Sequence, residues 1–131
     1  MTSPDIWSCA YYSDSYGNDV NYPRPDTKTQ YFGRGALQLS WNYNYGYFSE
    51  LIFGDAKTLL NKPERVANEG WLAIASALWF YMTPQTPKPS MHDIITGFWV
   101  PNAADTSAGF KSGFGATINV INGVQECGFW S

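Results

Sequence analysis

Apolar residues recur at three- and four-residue spacing along most of the chain and rarely alternate, so the pattern predicts helices rather than strands. The stretch from Ser40 to Phe53 carries Trp41, Tyr45, Phe48 and Ile52 on one helical face, and Gly54 is placed to end it. Gly46 inside this stretch argues against a helix, because glycine in a helix interior costs about 1 kcal/mol relative to alanine. A short helix is expected to start at Asn61, with Pro63 and Glu64 in its first turn. Gly70 to Met82 is the clearest element. Trp71, Ile74, Ala75, Leu78, Trp79 and Met82 follow the helical period, and Leu72 and Tyr81 make it apolar nearly all round, the mark of a helix buried at the centre of a fold. Ser90-Met91-His92-Asp93 has capping-box spacing and opens a short helix that Gly97 closes. Gly113 to Asn122 reads as the last helix, with Gly123 as its stop.

Residues 1–30 differ. Ser, Asp, Asn and Tyr surround Tyr22-Pro23-Arg24-Pro25-Asp26, whose two prolines restrict the residues before them. Its tyrosines argue for a loop folded onto another part of the molecule. The expected class is mainly α, helix-rich with long loops, as one domain with 1–30 as an irregular region and 31–131 as its body.

Composition sharpens this picture. The 131 residues suit one hydrophobic core. Charged residues make up only 15% and aromatic residues 18%, the reverse of a disordered chain. Eight basic against eleven acidic residues give a net charge of −3 and no basic block, so nucleic acid is not an expected partner. No apolar run is long enough to span a bilayer, and Met1-Thr-Ser-Pro-Asp5 has no signal-peptide pattern. A soluble protein is expected. Cys9 and Cys127 stand far apart with a single histidine, His92, too few ligands for a zinc site, so no metal or cofactor is expected. One long-range disulfide, two free thiols and pairing outside the chain all remain open.

Among candidate chemistries, Gly33-Arg34-Gly35 has Gln38 where a dinucleotide fingerprint needs its third glycine, and no strand precedes it. His92 falls in a helix first turn with no nucleophile motif nearby, which favours a structural histidine. The segment Gln38-Leu-Ser-Trp-Asn-Tyr-Asn-Tyr45 is different, because amides, a hydroxyl and aromatic rings interleave within eight positions. Sugar hydroxyls need fixed donors and acceptors, and sugar C–H faces need aromatic surface. A helix start with capping amides and core tyrosines would also use these residues. Asn119 and Asn122 form a second amide pair on one helical face, with Glu126 beyond them.

Three blocks then carry a resemblance. Tyr31-Phe-Gly-Arg-Gly-Ala-Leu-Gln-Leu-Ser-Trp-Asn-Tyr-Asn-Tyr-Gly46 resembles a signature of the plant-type chitinases, the family-19 glycoside hydrolases. Ala77 to Gln85, followed by Pro87 to Gly97, is similar to a second signature. Gly113 to Gly123 with Glu126-Cys127-Gly128 is similar to a third. The resemblance runs from about Tyr31 to Gly128, in family order. It implies a lysozyme-like, mainly helical (α+β) fold and inverting hydrolysis of β-1,4-linked N-acetylglucosamine polymers by an extracellular, monomeric endochitinase. Inversion uses two carboxyl groups roughly 6.5–9.5 Å apart, one as acid and one to activate water. By resemblance Ser40 positions that water, Gln38, Tyr43, Asn44 and Asn122 bind sugar residues of chitin or chito-oligosaccharides, and Glu126 supports the catalytic network.

Two departures qualify the expectation. The family's acid is a glutamate in a His-Glu-Thr motif before the Gly-Arg-Gly block, and no such motif occurs here. Its base is a glutamate in the loop before Tyr31, where this chain has only Asp5, Asp14, Asp19 and Asp26. The sequence therefore reads as a chitinase domain truncated on its N-terminal side, with a catalytically inactive chitin-binding module as the alternative. A chain without the N-terminal helices is expected to show an apolar patch on the Trp71–Met82 helix.

Overall fold

The structure, a computed structural model, describes residues 21–26 and 28–127. Asp5, Cys9, Asp14, Asp19 and Gly128 lie outside the described residues, as does most of the expected N-terminal loop. Helices α1 (Asn42–Phe53), α2 (Lys57–Asn61), α3 (Arg65–Asn68), α4 (Gly70–Met82), α5 (Met91–Thr96), α6 (Ala103–Ser107) and α7 (Phe114–Glu126) follow in order. Among the described residues no strand forms, only the isolated bridges Arg34–Leu39 and Gln85–Lys88. The mainly helical class expected from periodicity is what the chain adopts. It divides into two compact units, one ending at Leu78 and the other starting at Trp79, so the boundary falls inside α4.

In the first unit, Tyr31, Tyr45, Phe48, Leu59, Leu60, Val66 and Leu72 are buried, and α1 packs on α2. Full burial of each such side chain contributes about 1.5–3 kcal/mol. The Tyr31 hydroxyl donates to the Leu60 carbonyl at 2.7 Å, so its phenol is satisfied inside the core. Gly35 has φ of +79° and lies against α4, where an added Cβ would stand 2.9 Å from Ser76 Oγ and 3.1 Å from the Ala73 carbonyl. The next residue's amide, Ala36 N–H, donates to that same carbonyl at 3.2 Å. The Gly-Arg-Gly block is thus a turn seated on a helix.

Helix α1 ends as expected, with Gly54 at φ of +71° in the left-handed cap and its N–H on the Glu50 carbonyl. The interior Gly46 also has a reason. A Cβ there would lie 2.2 Å from Tyr22 Cδ1, so the helix omits a side chain to let the Tyr22 ring approach. The Tyr22 hydroxyl donates to Glu50 at 3.0 Å on the same helix. For residues 21–26, the expectation of a loop laid onto another part of the molecule holds.

The expected helix start at Asn61 is corrected, since Asn61 closes α2 and the next helix, α3, begins at Arg65 with Glu64 as its N-cap. Cap-type residues at Asn61 and an early proline suit a start, but the apolar pair Leu59-Leu60 extends the preceding turn into the core. Helix α4 is not buried all round either. Leu72, Ser76 and Trp79 are buried, whereas Trp71, Ile74, Leu78 and Met82, on one helical face, are half or more exposed. The apolar patch expected on this helix is present.

In the second unit, α5 packs on α7, and Trp79, Met91, Ile94 and Val120 are buried. Ser90 caps α5, its Oγ accepting from Asp93 N–H at 3.0 Å, and Gly97 at φ of +75° ends it. Helix α6, not foreseen in the sequence, has a complete capping box between Asn102 and Asp105. Helix α7 runs through the expected stop at Gly123 to Glu126, broken only by non-helical angles at Asn122.

The Tyr22–Gly46 contact gives a sign reversal to measure. Gly46→Ala is expected to destabilise the chain by about 1–2 kcal/mol through overpacking. In a Tyr22→Ala background the same change should stabilise by about 0.5–1 kcal/mol, because alanine is then simply the better helix former. Urea unfolding of the four proteins checks it.

Candidate functional site

The polar-aromatic segment forms the entry to α1, and its backbone is unusual. Gln38 has φ of +54° and Trp41 φ of +74°, the two non-glycine residues with positive φ among those described. Each such residue costs of order 1–3 kcal/mol and persists only where its surroundings enforce it. They bracket Ser40. Here the enforcement is visible, because Arg34 and Leu39 exchange backbone hydrogen bonds at 3.1 and 2.7 Å, and Trp41 N–H donates to the Tyr31 carbonyl at 2.8 Å.

Arg34 locks this turn to the helix. Its Nη1 donates to the Gln30 carbonyl and to the Tyr45 hydroxyl, both at 3.0 Å. The Tyr45 hydroxyl in turn donates to the Phe32 carbonyl at 2.8 Å. Burial pushes the Tyr45 phenol up to about 12, an effect that outweighs the opposing pull of the Arg34 hydrogen bond and charge.

Gln38, Ser40 and Asn44 are linked through two carbonyls. Ser40 Oγ donates to the Gln38 carbonyl at 2.8 Å, and Asn44 Nδ2 donates to the Ser40 carbonyl at 2.9 Å. Gln38 itself is exposed, its Nε2 on the Gly35 carbonyl at 3.2 Å, while Ser40 is half-buried and Asn44 buried. Tyr43 stacks on Trp41 with centroids 6.4 Å apart and planes 16° from parallel, and desolvation raises its phenol pKa. The structure therefore brings four of the sequence-selected residues, Gln38, Ser40, Tyr43 and Asn44, into one local group.

The other two meet in the second unit. At Asn122, φ of −147° and ψ of 33° interrupt α7, and Asn122 Nδ2 donates to Glu126 Oε1 at 2.9 Å. A carboxylate in the last turn of a helix opposes the macrodipole, so this amide is a needed partner. Asn119 has a different part. A Cβ on Gly123 would lie 1.9 Å from Asn119 Oδ1, which explains glycine there in mid-helix. Lys88 Nζ donates to the Asn119 and Val120 carbonyls at 3.0 and 3.3 Å, next to the kink. Lys88 was not singled out in the sequence. Its lone charge between Pro87 and Pro89 gave no periodic signal.

Asp26 is the described one of the four aspartates. Its Oδ1 accepts from the Thr29 and Lys28 N–H groups, both at 2.7 Å, and from the Thr29 hydroxyl at 2.9 Å. The Thr29 N–H, then the Lys28 N–H, hold its carboxyl below the usual range, so it is a turn-former and a weak base. His92 is half-buried, edge-on to Tyr81 at 6.0 Å in the first turn of α5, the structural place expected for it. Cys127 forms no disulfide among the described residues. Also among them, no group of three His, Cys, Asp or Glu is placed to hold a metal, and no helix is long and apolar enough to cross a membrane.

The family model described as chitinase class I, the family-19 glycoside hydrolases, matches residues 7–131, and the chain belongs to that family. It is 55% identical over 105 residues to chitinase 9 of Oryza sativa subsp. japonica, covering 80% of this chain and 30% of that protein. It is 46% identical over 131 residues to endochitinase 2 of Gossypium hirsutum, covering 95% and 42%. Among solved structures it resembles the class IV chitinase of Zea mays, with TM-score 0.58, 34% identity, and 88% and 43% coverage. Chitinase C of Streptomyces griseus is similar, with TM-score 0.57, 29% identity, and 95% and 42% coverage. The chain spans about 30–42% of the length of these two plant relatives.

The buried phenol gives a pH test. The folded-state pKa of Tyr45 lies above the ordinary value of 10, so its stabilisation is complete below pH 10 and is lost as pH rises toward 12. The loss is expected to reach about 2–3 kcal/mol. Tyr45→Phe should be about 1–3 kcal/mol less stable at pH 7, since it removes the Tyr45 acceptor of Arg34 Nη1 and leaves the Phe32 carbonyl only the long contact with that same nitrogen. Its stability should then fall less above pH 10, as followed by urea denaturation between pH 7 and 12.

Proposed function

We propose that this chain carries the sugar-binding part of an inverting, chitin-hydrolysing domain. In this reading Gln38, Tyr43, Asn44 and Asn122 bind N-acetylglucosamine residues, Ser40 holds the attacking water, and Glu126 supports the catalytic network. The observation that carries it is the pair of positive-φ residues, Gln38 and Trp41, on either side of Ser40. A fold that needed only a helix start would place glycine or asparagine there, and strain of this kind concentrates at functional sites. The Asn122–Glu126 hydrogen bond at a helix break supports the same reading from the second unit. An extracellular, monomeric protein acting on chitin or chito-oligosaccharides fits it.

Neither the acid nor the base is assigned to a described carboxylate. Asp26 is committed to its turn, and no His-Glu-Thr occurs in the sequence. The chain by itself is therefore proposed to bind chito-oligosaccharide without rapid hydrolysis, since a missing acid or base removes about 10²–10⁴-fold of rate. The second reading, a chitin-binding module with no hydrolytic role, rests on the same observation.

Incubation with a chitin hexasaccharide, with products and anomers resolved by chromatography and binding followed by calorimetry, tests both. Binding with an intact hexamer is the expected result for the chain alone. Release of shorter oligomers as the α-anomer would show that this chain supplies its own acid and base. Release as the β-anomer, or no binding by folded chain, would overturn the proposal. Gln38→Gly is expected to stabilise the fold by about 0.5–1 kcal/mol by relieving the left-handed backbone, yet to weaken hexamer binding. A purely structural Gln38 would give the first effect without the second.

A further inference from the structure

One cleft shares no residue with the sugar-binding groups above. It encloses about 270 Å³ on the first unit, open to solvent, and its wall includes Lys28, Gln30, Phe32, Arg34, Asn61 and Glu64. Arg34 is the fixed point. Its guanidinium carbon lies 3.7 Å from the Phe32 ring centroid and 5.7 Å from that of Tyr45, so it rests against one aromatic ring and near a second. Nη1 is consumed by the Gln30 carbonyl, the Tyr45 hydroxyl and, at 3.5 Å, the Phe32 carbonyl. The Nε–Nη2 edge makes no hydrogen bond among the described residues. That edge presents two parallel N–H groups, the pattern a carboxylate accepts in bidentate fashion. Because neighbours already fix the guanidinium, little further entropy is lost when it binds.

The rest of the wall narrows the ligand. Lys28 adds a positive charge and Glu64 a negative one, so the cleft suits a monoanion better than a doubly charged phosphate. Gln30 and Asn61 contribute amides that can both donate to and accept from hydroxyls. The Phe32 face lies under Arg34, which leaves little apolar surface for a greasy group. We propose that this cleft binds a sugar acid, with its carboxylate on the Nε–Nη2 edge of Arg34 beside Lys28, and its ring hydroxyls on the Gln30 and Asn61 amides. The site is separate from the chitin reading and stands whether or not that reading holds.

The test uses the whole chain and nuclear magnetic resonance titration with methyl β-D-glucuronide, methyl β-D-glucoside, acetate and inorganic phosphate. The glucuronide is expected to shift the Arg34 Nε–Hε resonance and to bind more weakly as salt is raised. The glucoside, which lacks only the charge, should bind at least about tenfold more weakly. Lys28→Ala should weaken glucuronide binding about threefold and Glu64→Gln should tighten it about threefold, the scale of exposed ion contacts. Both side chains are exposed, so these variants leave the core intact. An unmoved Arg34 resonance, or equal affinity for glucoside and glucuronide, would overturn the proposal. Acetate or phosphate binding as tightly as the glucuronide would overturn it too, showing an anion patch without sugar recognition. Chitin hexasaccharide binding by the two variants should be unchanged, which keeps failure of this proposal distinct from failure of the chitin reading.

Discussion

One part-buried hydrogen-bond chain organises the first unit. Arg34 donates to Tyr45, Tyr45 donates to the Phe32 carbonyl, and Arg34 also holds the Gln30 carbonyl. A buried polar group left without a partner costs about 1–3 kcal/mol, and these part-buried groups carry some of that cost, so the turn and the helix stabilise each other. Gly35 seats the same turn on α4, and Tyr31 seats the approaching strand of chain on Leu60. With those anchors set, the backbone from Gln38 to Trp41 has no freedom left to relax from its left-handed angles. The polar groups proposed to face sugar are displayed by a segment held in place by its satisfied neighbours.

Much of this was legible in the residues. Helices α1 and α4 follow from apolar spacing and α5 from its capping signal at Ser90 and the glycine at 97, because these signals are local and strong. The interleaved amides, hydroxyl and rings of Gln38–Tyr45 left ligand binding and a capped helix start both open, and the roles of Asn122 and Glu126 came only from the family signatures. What the sequence did not reveal depends on contacts between distant positions. Gly46 looked like a fault in a helix until the Tyr22 ring filled the space. Asn61 looked like a cap until Leu59 and Leu60 drew the preceding helix into the core. Gly123 looked like a stop, but it makes room for the Asn119 side chain. The positive φ values at Gln38 and Trp41 carried no signal, since neither residue type favours them.

The two units spend polar groups in different ways. In the first, side-chain amides and hydroxyls answer carbonyls within a turn, which fixes a surface. In the second, an interrupted helix brings Asn122 within reach of a carboxylate one turn later, which fixes a pair. The exposed apolar face of α4 contrasts with both, because Trp71, Ile74 and Leu78 find no comparable cover.

Lys88 ties a surface turn to a remote helix. Its ammonium reaches the Asn119 and Val120 carbonyls across more than thirty positions of chain, from the end of a short turn bridged between Gln85 and Lys88. Adding or removing one residue in that turn would move the ammonium off the helix and leave those carbonyls without it. Surface turns usually tolerate such length changes. This one is tied to the last helix just ahead of its break at Asn122, so a change in its length would be felt far along the chain.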